Sequence, residues 1–212
     1  MNYSTIKNII FDLGGVVIDI DFNLTFSAFA RLANQSIEET KKVMSDLNIW
    51  DRYERGSLTD QNFINIIRES LQLTQTDEEI IIAWNALLLE LPKKRIDLIK
   101  QINTKFNTYV LSNTSNIHIE GVNKILEKST GENDLKNIFG KIYYSYEINR
   151  RKPDLDIYEF VLKDAGLKPE ETLFLDDNLD NIGAAKKVGI QTIHVHPPIC
   201  ITHYLKGIME EQ

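Results

Sequence analysis

Short runs of apolar and β-branched residues alternate along the chain with stretches of helical spacing. The runs cover residues 8–11, 107–111, 142–146, 172–175 and 191–195. Apolar residues recur at helical spacing over 154–165 and 178–188, and each stretch stops at a glycine, Gly166 or Gly189, which is a common helix end. Strands that alternate with helices predict βαβ units, and therefore an α/β fold with helices on both faces of a parallel sheet.

The first connection is too long for a simple βαβ unit. It separates Asp12 from Phe106 by 93 residues, whereas a complete unit needs only about 30. Four signals for helix starts lie in this stretch: Ser36 with Glu39, Thr59, Thr76 with Glu79, and Pro92. We therefore expect a parallel-sheet core made of residues 1–22 and 90–212, with a small α-helical cap, residues 23–89, inserted into it.

Charge and cysteine content limit the kinds of partner. The 212 residues include 24 Lys and Arg against 31 Asp and Glu, and the net charge of -7 disfavours nucleic acid or an anionic membrane. No apolar run approaches the ~18 residues that span a bilayer, and Asp12 and Asp19 interrupt the apolar stretch that a signal peptide needs. The single cysteine, Cys200, excludes an intramolecular disulfide. We expect a cytoplasmic protein that binds neither nucleic acid nor membrane.

Polar side chains follow four of the predicted strands: Asp12, Ser112 with Asn113, Lys152, and Asp176 with Asp177. Because the carboxyl ends of parallel strands share one edge of the sheet, we expect these side chains to converge. Carboxylates with no nearby cysteine or histidine ligand favour Mg²⁺ over zinc. A lysine and a hydroxyl beside such a cation suit an anion with several oxygens, of which phosphate is the commonest.

The order and spacing of these segments resemble the four motifs of the haloacid dehalogenase-like (HAD) hydrolase superfamily. The segments are Asp12-Leu13-Gly14-Gly15-Val16-Val17, Leu111-Ser112-Asn113-Thr114, Lys152-Pro153 and Phe174-Leu175-Asp176-Asp177. The stretch from Tyr53-Glu54-Arg55-Gly56 to Phe63 also resembles the caps of bacterial sugar-phosphate phosphatases. The resemblance covers nearly the whole chain. It implies a Rossmann-like core with a helical cap, and Mg²⁺-dependent hydrolysis of a small phosphorylated metabolite such as a sugar phosphate.

The resemblance also implies a nucleophile and a set of metal ligands. Asp12 would attack phosphorus and form an aspartyl-phosphate, which water then cleaves. Mg²⁺ would be held by Asp12, by the backbone carbonyl of Gly14 and by Asp177, with Asp176 either a further ligand or a partner of the ligands.

Three further residues would hold the phosphoryl oxygens. They are Ser112, the backbone amide of Asn113 and the ammonium of Lys152, and a helix expected to start near Asn113 would add its positive end. We expect the neighbours Arg150 and Arg151 to be solvated surface residues.

Gly14 departs from the pattern of this superfamily. Its phosphatases usually carry a second aspartate two residues after the nucleophile, which protonates the leaving oxygen and then activates water. General acid-base catalysis contributes typically ~10²- to 10⁴-fold. We therefore expect slow turnover, restriction to good leaving groups, or an acid supplied by another residue, for which Asp19, Asp21, Tyr53 and Glu54 are candidates.

Two alternative functions stay open. A metal-independent 2-haloacid dehalogenase also lacks the second aspartate, but the adjacent carboxylates Asp176 and Asp177 would only repel each other without a cation. A weakly active phosphate-binding or phosphoacceptor protein would act through cap closure on a partner, and the presence of Lys152 disfavours it. His194 and His196 share a strand face but lack a third ligand, so we interpret them as strand-end residues.

Overall fold

A five-stranded parallel sheet forms the centre of the protein. The computed structural model describes residues 4–196 and 201–210. Its strands are β1 (Asn8–Phe11), β2 (Asn107–Ser112), β3 (Lys141–Tyr144), β4 (Thr172–Asp176) and β5 (Gln191–His194). They lie in the order β3-β2-β1-β4-β5, and every neighbouring pair is parallel. The carboxyl end of β1 therefore lies between the ends of β2 and β4.

Helices occupy the connections and cover the sheet. They are α1 (Phe22–Ala33), α2 (Ile37–Asp46), α3 (Ile49–Glu54), α4 (Asp60–Ser70), α5 (Asp77–Trp84), α6 (Lys93–Ile102), α7 (Asn116–Thr130), α8 (Ser145–Ile148), α9 (Leu155–Ala165), α10 (Leu179–Lys187) and α11 (Ile201–Glu210). None of the helices in the described part of the chain is long and apolar enough to cross a membrane. Cys200 lies outside the described residues.

Two sequence predictions of element boundaries are wrong by a few residues. The strand expected over 142–146 ends at Tyr144, and residues 145–148 turn into the short helix α8, which closes at Asn149 in the left-handed conformation. The helix expected near Asn113 begins at Asn116 instead, because Ser115 is its N-cap and accepts a hydrogen bond from the amide of His118.

Alternate side chains of each strand pack on opposite faces of the sheet. One face is covered by α6, α7 and α11, and its core includes Phe11 and Leu175. The other face is covered by α9 and α10, and its core includes Ile10 and Phe174. Both faces are therefore buried, which accounts for the continuous apolar runs in the sequence.

Helices α1 to α5 occupy the long first connection and have a core of their own. The capping boxes predicted at Ser36 and Thr76 are both present. Trp84, Phe63 and Tyr53 are almost fully buried in this core. These aromatic residues therefore serve as packing in the core of the helices.

Two antiparallel segments join these helices to the sheet. Ile20 pairs with Leu88, and backbone hydrogen bonds link Asp19 with both Leu89 and Glu90. The segment that leaves the sheet core and the segment that returns to it therefore lie side by side. The division of the chain into a core and a separate cap over 23–89 stays a prediction.

A stacked pair of rings joins α5 to α7. The ring of His118 lies parallel to that of Trp84 with 4.7 Å between centroids, and its Nε2 is 3.2 Å from the carbonyl oxygen of Trp84. The indole of Trp84 donates to the hydroxyl of Ser115 at 3.2 Å. Burial lowers the pKa of His118 from 6.5 to about 4, so the ring is neutral at physiological pH.

This burial predicts how the free energy of unfolding depends on pH. Above pH 6.5 His118 is neutral in both the folded and the unfolded chain, so its full contribution to the free energy of unfolding is present. As pH falls from 6.5 toward 4, His118 becomes protonated in the unfolded chain but stays neutral in the folded chain. The free energy of unfolding therefore falls by about 3 kcal/mol over this range. Urea unfolding of His118→Gln, which keeps a donor for the Trp84 carbonyl, should show a correspondingly smaller loss over this range. If the free energy of unfolding fell equally in the wild type and in His118→Gln, the pH dependence could not be assigned to His118.

Candidate active site

A buried lysine ammonium lies between two carboxylates at the carboxyl edge of the sheet. The Nζ of Lys152 donates to Oδ1 of Asp12 at 2.9 Å and to Oδ2 of Asp176 at 2.7 Å. Lys152 is 1% exposed and Asp176 is fully buried. Asp12 directly follows β1 and Asp176 ends β4, so the pairing of these two strands sets the spacing that the ammonium bridges.

The carboxylate of Asp176 is held by several donors besides Lys152. Its Oδ1 accepts from the backbone amide of Asn178 at 2.7 Å, and the side-chain amide of Asn181 lies 3.1 and 3.0 Å from its two oxygens. Asn178 caps α10, and Asn181 lies in the first turn of that helix. Because both oxygens already have donors, Asp176 is suited to orienting Lys152.

Asp177 is the exposed member of the acidic group. One carboxylate oxygen each of Asp12, Asp176 and Asp177 lie within 4.8 Å of one another, and no other such cluster of three metal-ligating residues occurs in the described residues. His194 contacts Asp177 only through the main chain, with its Nε2 2.9 Å from the Asp177 carbonyl oxygen. The histidine is therefore a strand-end residue, as expected.

The donor set fits a hard divalent cation. Three carboxylates crowd together while one ammonium compensates them, so a cation that prefers oxygen ligands would relieve the remaining repulsion. Asp176 already has donors at both of its oxygens, so Asp12 and Asp177 are the members of this group that could hold such a cation.

The electrostatics follow from burial and from this crowding. Burial raises the pKa of Asp12 well above its ordinary value, and Asp176 and Asp177 add to the rise while Lys152 opposes it. Burial lowers the pKa of Lys152, but the two carboxylates that contact it outweigh burial and keep the ammonium charged. A bound cation would return Asp12 to the ionised form that a nucleophile requires.

The segment after β2 supports the loop that carries Lys152. The side-chain amide of Asn113 donates to the Lys152 carbonyl at 2.9 Å, and its Oδ1 accepts from the Lys152 backbone amide at 2.9 Å. The amide of Thr114 donates to the hydroxyl of Ser145 at 3.0 Å. Asn113 therefore positions Lys152 through its side chain, in addition to the backbone-amide role that the resemblance implies.

A narrow cavity lies between the sheet edge and the helices of the long connection. It has a volume of about 50 Å³, and Gly14, Ser112 and Asn113 line it from the sheet edge. Glu54, from the end of α3, lines it as well, and so does His118. Two of the three predicted phosphate-binding residues, Ser112 and Asn113, therefore line one cavity with Glu54, one of the candidate acids.

The other three candidate acids do not line this cavity and contact other groups. Asp19 forms an ion pair with Arg95 at 2.8 Å, and Asp21 caps α1. The hydroxyl of Tyr53 donates to Asp60 at 2.6 Å, and burial raises the pKa of Tyr53 far above its ordinary value. Among the four candidates only Glu54 lines the cavity.

One expectation about the loop before α9 is wrong. Arg151 is not a solvated surface residue, because its Nε donates to Oε2 of Glu54 at 2.6 Å across the boundary between the loop and α3. Arg150 is likewise only half-exposed, and it pairs with Asp156 at 3.2 Å while its guanidinium lies over the ring of Phe160. No local pattern in the sequence signals the Arg151 contact, since Glu54 lies 97 positions away.

Comparisons with known proteins match nearly the whole chain. A model of haloacid dehalogenase-like hydrolases matches residues 6–189. The chain is 31% identical to a D-ribitol-5-phosphate phosphatase of Bacteroides thetaiotaomicron, over 88% of this chain and 90% of that protein. It is 26% identical to a sesquiterpene phosphatase of Aspergillus oryzae, over 91% of each. A HAD family enzyme of Bacteroides thetaiotaomicron, solved in complex with magnesium and inorganic phosphate, superimposes with a TM-score of 0.86 at 32% identity, covering 94% of this chain and 98% of that chain.

The close approach of Gly15 to Asp177 yields a prediction about cation binding. Gly15 has a φ of +73°, and a Cβ atom there would lie 2.3 Å from Oδ2 of Asp177. Gly15→Ala should therefore displace this carboxylate and weaken Mg²⁺ binding about 10-fold or more, measured by isothermal titration calorimetry.

Gly166→Ala is the matched control. Gly166 has a φ of +64°, and a Cβ atom there would meet no other atom within 4 Å, so the variant shares the backbone strain of about 1 kcal/mol without the collision. Equal Mg²⁺ affinity in both variants would contradict the role assigned to Asp177.

Proposed function

The chain belongs to the haloacid dehalogenase-like hydrolase family, and on that premise we propose that it is a Mg²⁺-dependent phosphatase. Its substrate would be a small phosphorylated metabolite such as a sugar phosphate, hydrolysed through an aspartyl-phosphate on Asp12. The observation that carries this proposal is the buried ammonium of Lys152 between Asp12 and Asp176, with Asp177 beside them. This arrangement holds a carboxylate nucleophile and an anion-stabilising cation at one point.

Asp12 is oriented for attack by two hydrogen bonds to one oxygen. Its Oδ1 accepts from the backbone amide of Leu13 at 2.7 Å and from Lys152 at 2.9 Å. In the proposed reaction an Asp12 oxygen forms a bond to phosphorus as the ester oxygen departs, and water later breaks the bond between phosphorus and Asp12. Mg²⁺, held by Asp12, Asp177 and the Gly14 carbonyl, would neutralise charge on the phosphoryl oxygens.

The phosphoryl oxygens would be bound by the segments after β2 and β3. Ser112 and Asn113 line the cavity and would contribute a hydroxyl and a backbone amide, and Lys152, which contacts Asp12, supplies a full positive charge. Asn113 also holds the backbone of Lys152 at both its amide and its carbonyl, so these two segments are joined directly to each other.

The same features favour a phosphatase over the two alternatives. A metal-independent dehalogenase has no use for the crowded acidic group, and two curated relatives that the chain matches over about 90% of their length are named phosphatases. A non-catalytic phosphate-binding protein would not need a carboxylate oriented by both Leu13 and Lys152. The substrate of the Bacteroides relative supports a phosphorylated polyol or sugar as the first compounds to test.

Asp12→Asn and removal of the cation should each abolish phosphate release. The substitution keeps the shape of the side chain but removes the nucleophile and one metal ligand together. Phosphate release should be measured over a panel of sugar, polyol and aryl phosphates, with Mg²⁺ and with a chelator. Wild-type rates in the variant or with the chelator would show that the aspartyl-phosphate mechanism is wrong.

Lys152→Ala should lower kcat/KM by roughly 10²-fold or more, comparable to the loss of one donor that stabilises an oxyanion. Arg150→Ala is the control, because Arg150 is two residues away and contacts Asp156 and the ring of Phe160 instead of the site. Equally small losses in both variants would remove Lys152 from the mechanism.

A further inference from the structure

A short segment at the end of α3 is fastened to the loop that carries Lys152. Besides the ion pair between Glu54 and Arg151, the guanidinium of Arg55 donates to Asp154 at 2.8 Å. The side chain of Asn149 donates to the backbone carbonyl of Arg55 at 3.0 Å. These contacts hold Glu54 against the same loop that places the ammonium beside the nucleophile.

Glu54 is buried at the boundary between the helices of the long connection and the sheet edge. It is 5% exposed, and it lines the same cavity as Gly14, Ser112 and Asn113. Among the described residues that line this cavity, Glu54 is the one with a carboxyl group. A phosphoryl group held by Ser112 and Asn113 would therefore share this cavity with the carboxyl of Glu54.

The place where an aspartate at position 14 would project is filled by another side chain. A Cβ atom on Gly14 would lie 2.9 Å from Cδ1 of Ile20, and the backbone of Gly14 is not in the left-handed conformation. The backbone thus permits an aspartate, but the apolar end of Ile20 occupies its space. An acid for this reaction has to come from another part of the cavity wall.

The other titratable side chain in the wall is unsuited to this role. His118 is neutral, and its Nε2 is directed to the Trp84 carbonyl, so the ring uses its proton there. Its Nδ1 could only accept a proton, and burial opposes the charge that would result.

We propose that Glu54 is the catalytic acid and base of this enzyme, supplied by the end of α3 in place of an aspartate at position 14. This inference rests on the proposed phosphatase function and assigns a residue within it.

The two chemical steps balance with Glu54 as the proton carrier. In the first, an oxygen of Asp12 bonds to phosphorus, the bond between phosphorus and the ester oxygen breaks, and protonated Glu54 gives its proton to that oxygen. In the second, Glu54 takes a proton from water as the water oxygen bonds to phosphorus, and the bond from phosphorus to Asp12 breaks. Free phosphate leaves, and both carboxyl groups return to their starting states.

The surroundings of Glu54 support a carboxyl that can hold a proton. Burial raises its pKa above the ordinary 4.5, and the negative charge of Asp51 on the same helix adds to this. Arg151 and Lys152, both from the loop packed against it, oppose the rise. The net direction is upward, which is the direction that a general acid requires.

The test compares Glu54→Gln with the wild-type enzyme on aryl and alkyl phosphates in the presence of Mg²⁺. An alkyl leaving group needs the proton, so kcat/KM for alkyl phosphates should fall by ~10²-fold or more. An aryl leaving group departs without it, so the first turnover should be kept while hydrolysis of the phosphoenzyme slows. The aryl reaction should therefore show a burst of alcohol followed by slow turnover.

Asp156→Asn is the matched control, because Asp156 likewise pairs with an arginine of this loop, Arg150 at 3.2 Å, but is absent from the cavity wall. It should keep near wild-type rates on both substrates. In Glu54→Gln, adding Gly14→Asp together with Ile20→Ala should restore part of the alkyl phosphatase activity, because the double change makes room for a carboxyl at another point of the cavity wall.

The outcomes separate this inference from the proposed function. If the wild type is active, Asp12→Asn is inactive and Glu54→Gln hydrolyses alkyl phosphates at the wild-type rate, Glu54 is not the acid and the phosphatase function stands. Equal losses on aryl and alkyl phosphates without a burst would also overturn the assignment. If Glu54→Gln does not fold, Glu54→Asp provides the same comparison, and an equal effect on both substrate classes would again overturn it. A wild type that releases no phosphate would remove the proposed function itself.

Discussion

The buried ion pairs of Lys152 are the interaction on which the site depends. An ammonium that is 1% exposed is stable only because carboxylates contact it on two sides, and removing one partner of a buried pair typically costs about 3–5 kcal/mol. The two carboxylates come from adjacent strands, so the sheet order fixes their separation. Asn178 and Asn181 hold one of them in turn. Several hydrogen bonds of the fold therefore serve to position a single charge.

The two parts of the site divide the proposed chemistry between them. The sheet edge contributes the nucleophile, the cation ligands and the phosphoryl donors, most of them within a few residues of strand ends. The end of α3 contributes Glu54, fastened by Arg151 to the loop that also carries Lys152. One loop thus contacts both the nucleophile and the residue proposed as acid. A movement of that loop would change the protonation and the charge balance of the site together.

The sequence was sufficient for much of the fold and for the sheet-edge part of the site. Asp12, Ser112 and Asp176 could be placed because each comes at the end of a buried apolar run, and parallel strands bring such ends together. Lys152 lies eight residues beyond the end of β3, so the strand end indicated its position less closely than it did for the other residues.

Other features depend on contacts between distant segments, which local patterns do not encode. The run at 142–146 contains tyrosine and isoleucine side chains suited to a strand, yet its end becomes α8, where Ser145 bonds to the backbone of Thr114. The pairing of Arg151 with Glu54 depends on how α3 docks onto the loop, and one expectation about Arg151 was wrong for that reason.

The most direct test of the central claim is to find where phosphorus is attached during turnover. Wild-type enzyme mixed with Mg²⁺ and an aryl phosphate should be quenched rapidly in acid, digested and mapped by mass spectrometry. We expect a phosphoryl group on the peptide that contains Asp12. A phosphoryl group on another residue such as Ser112, or phosphate release with no phosphorylated peptide at any quench time, would contradict the aspartyl-phosphate mechanism.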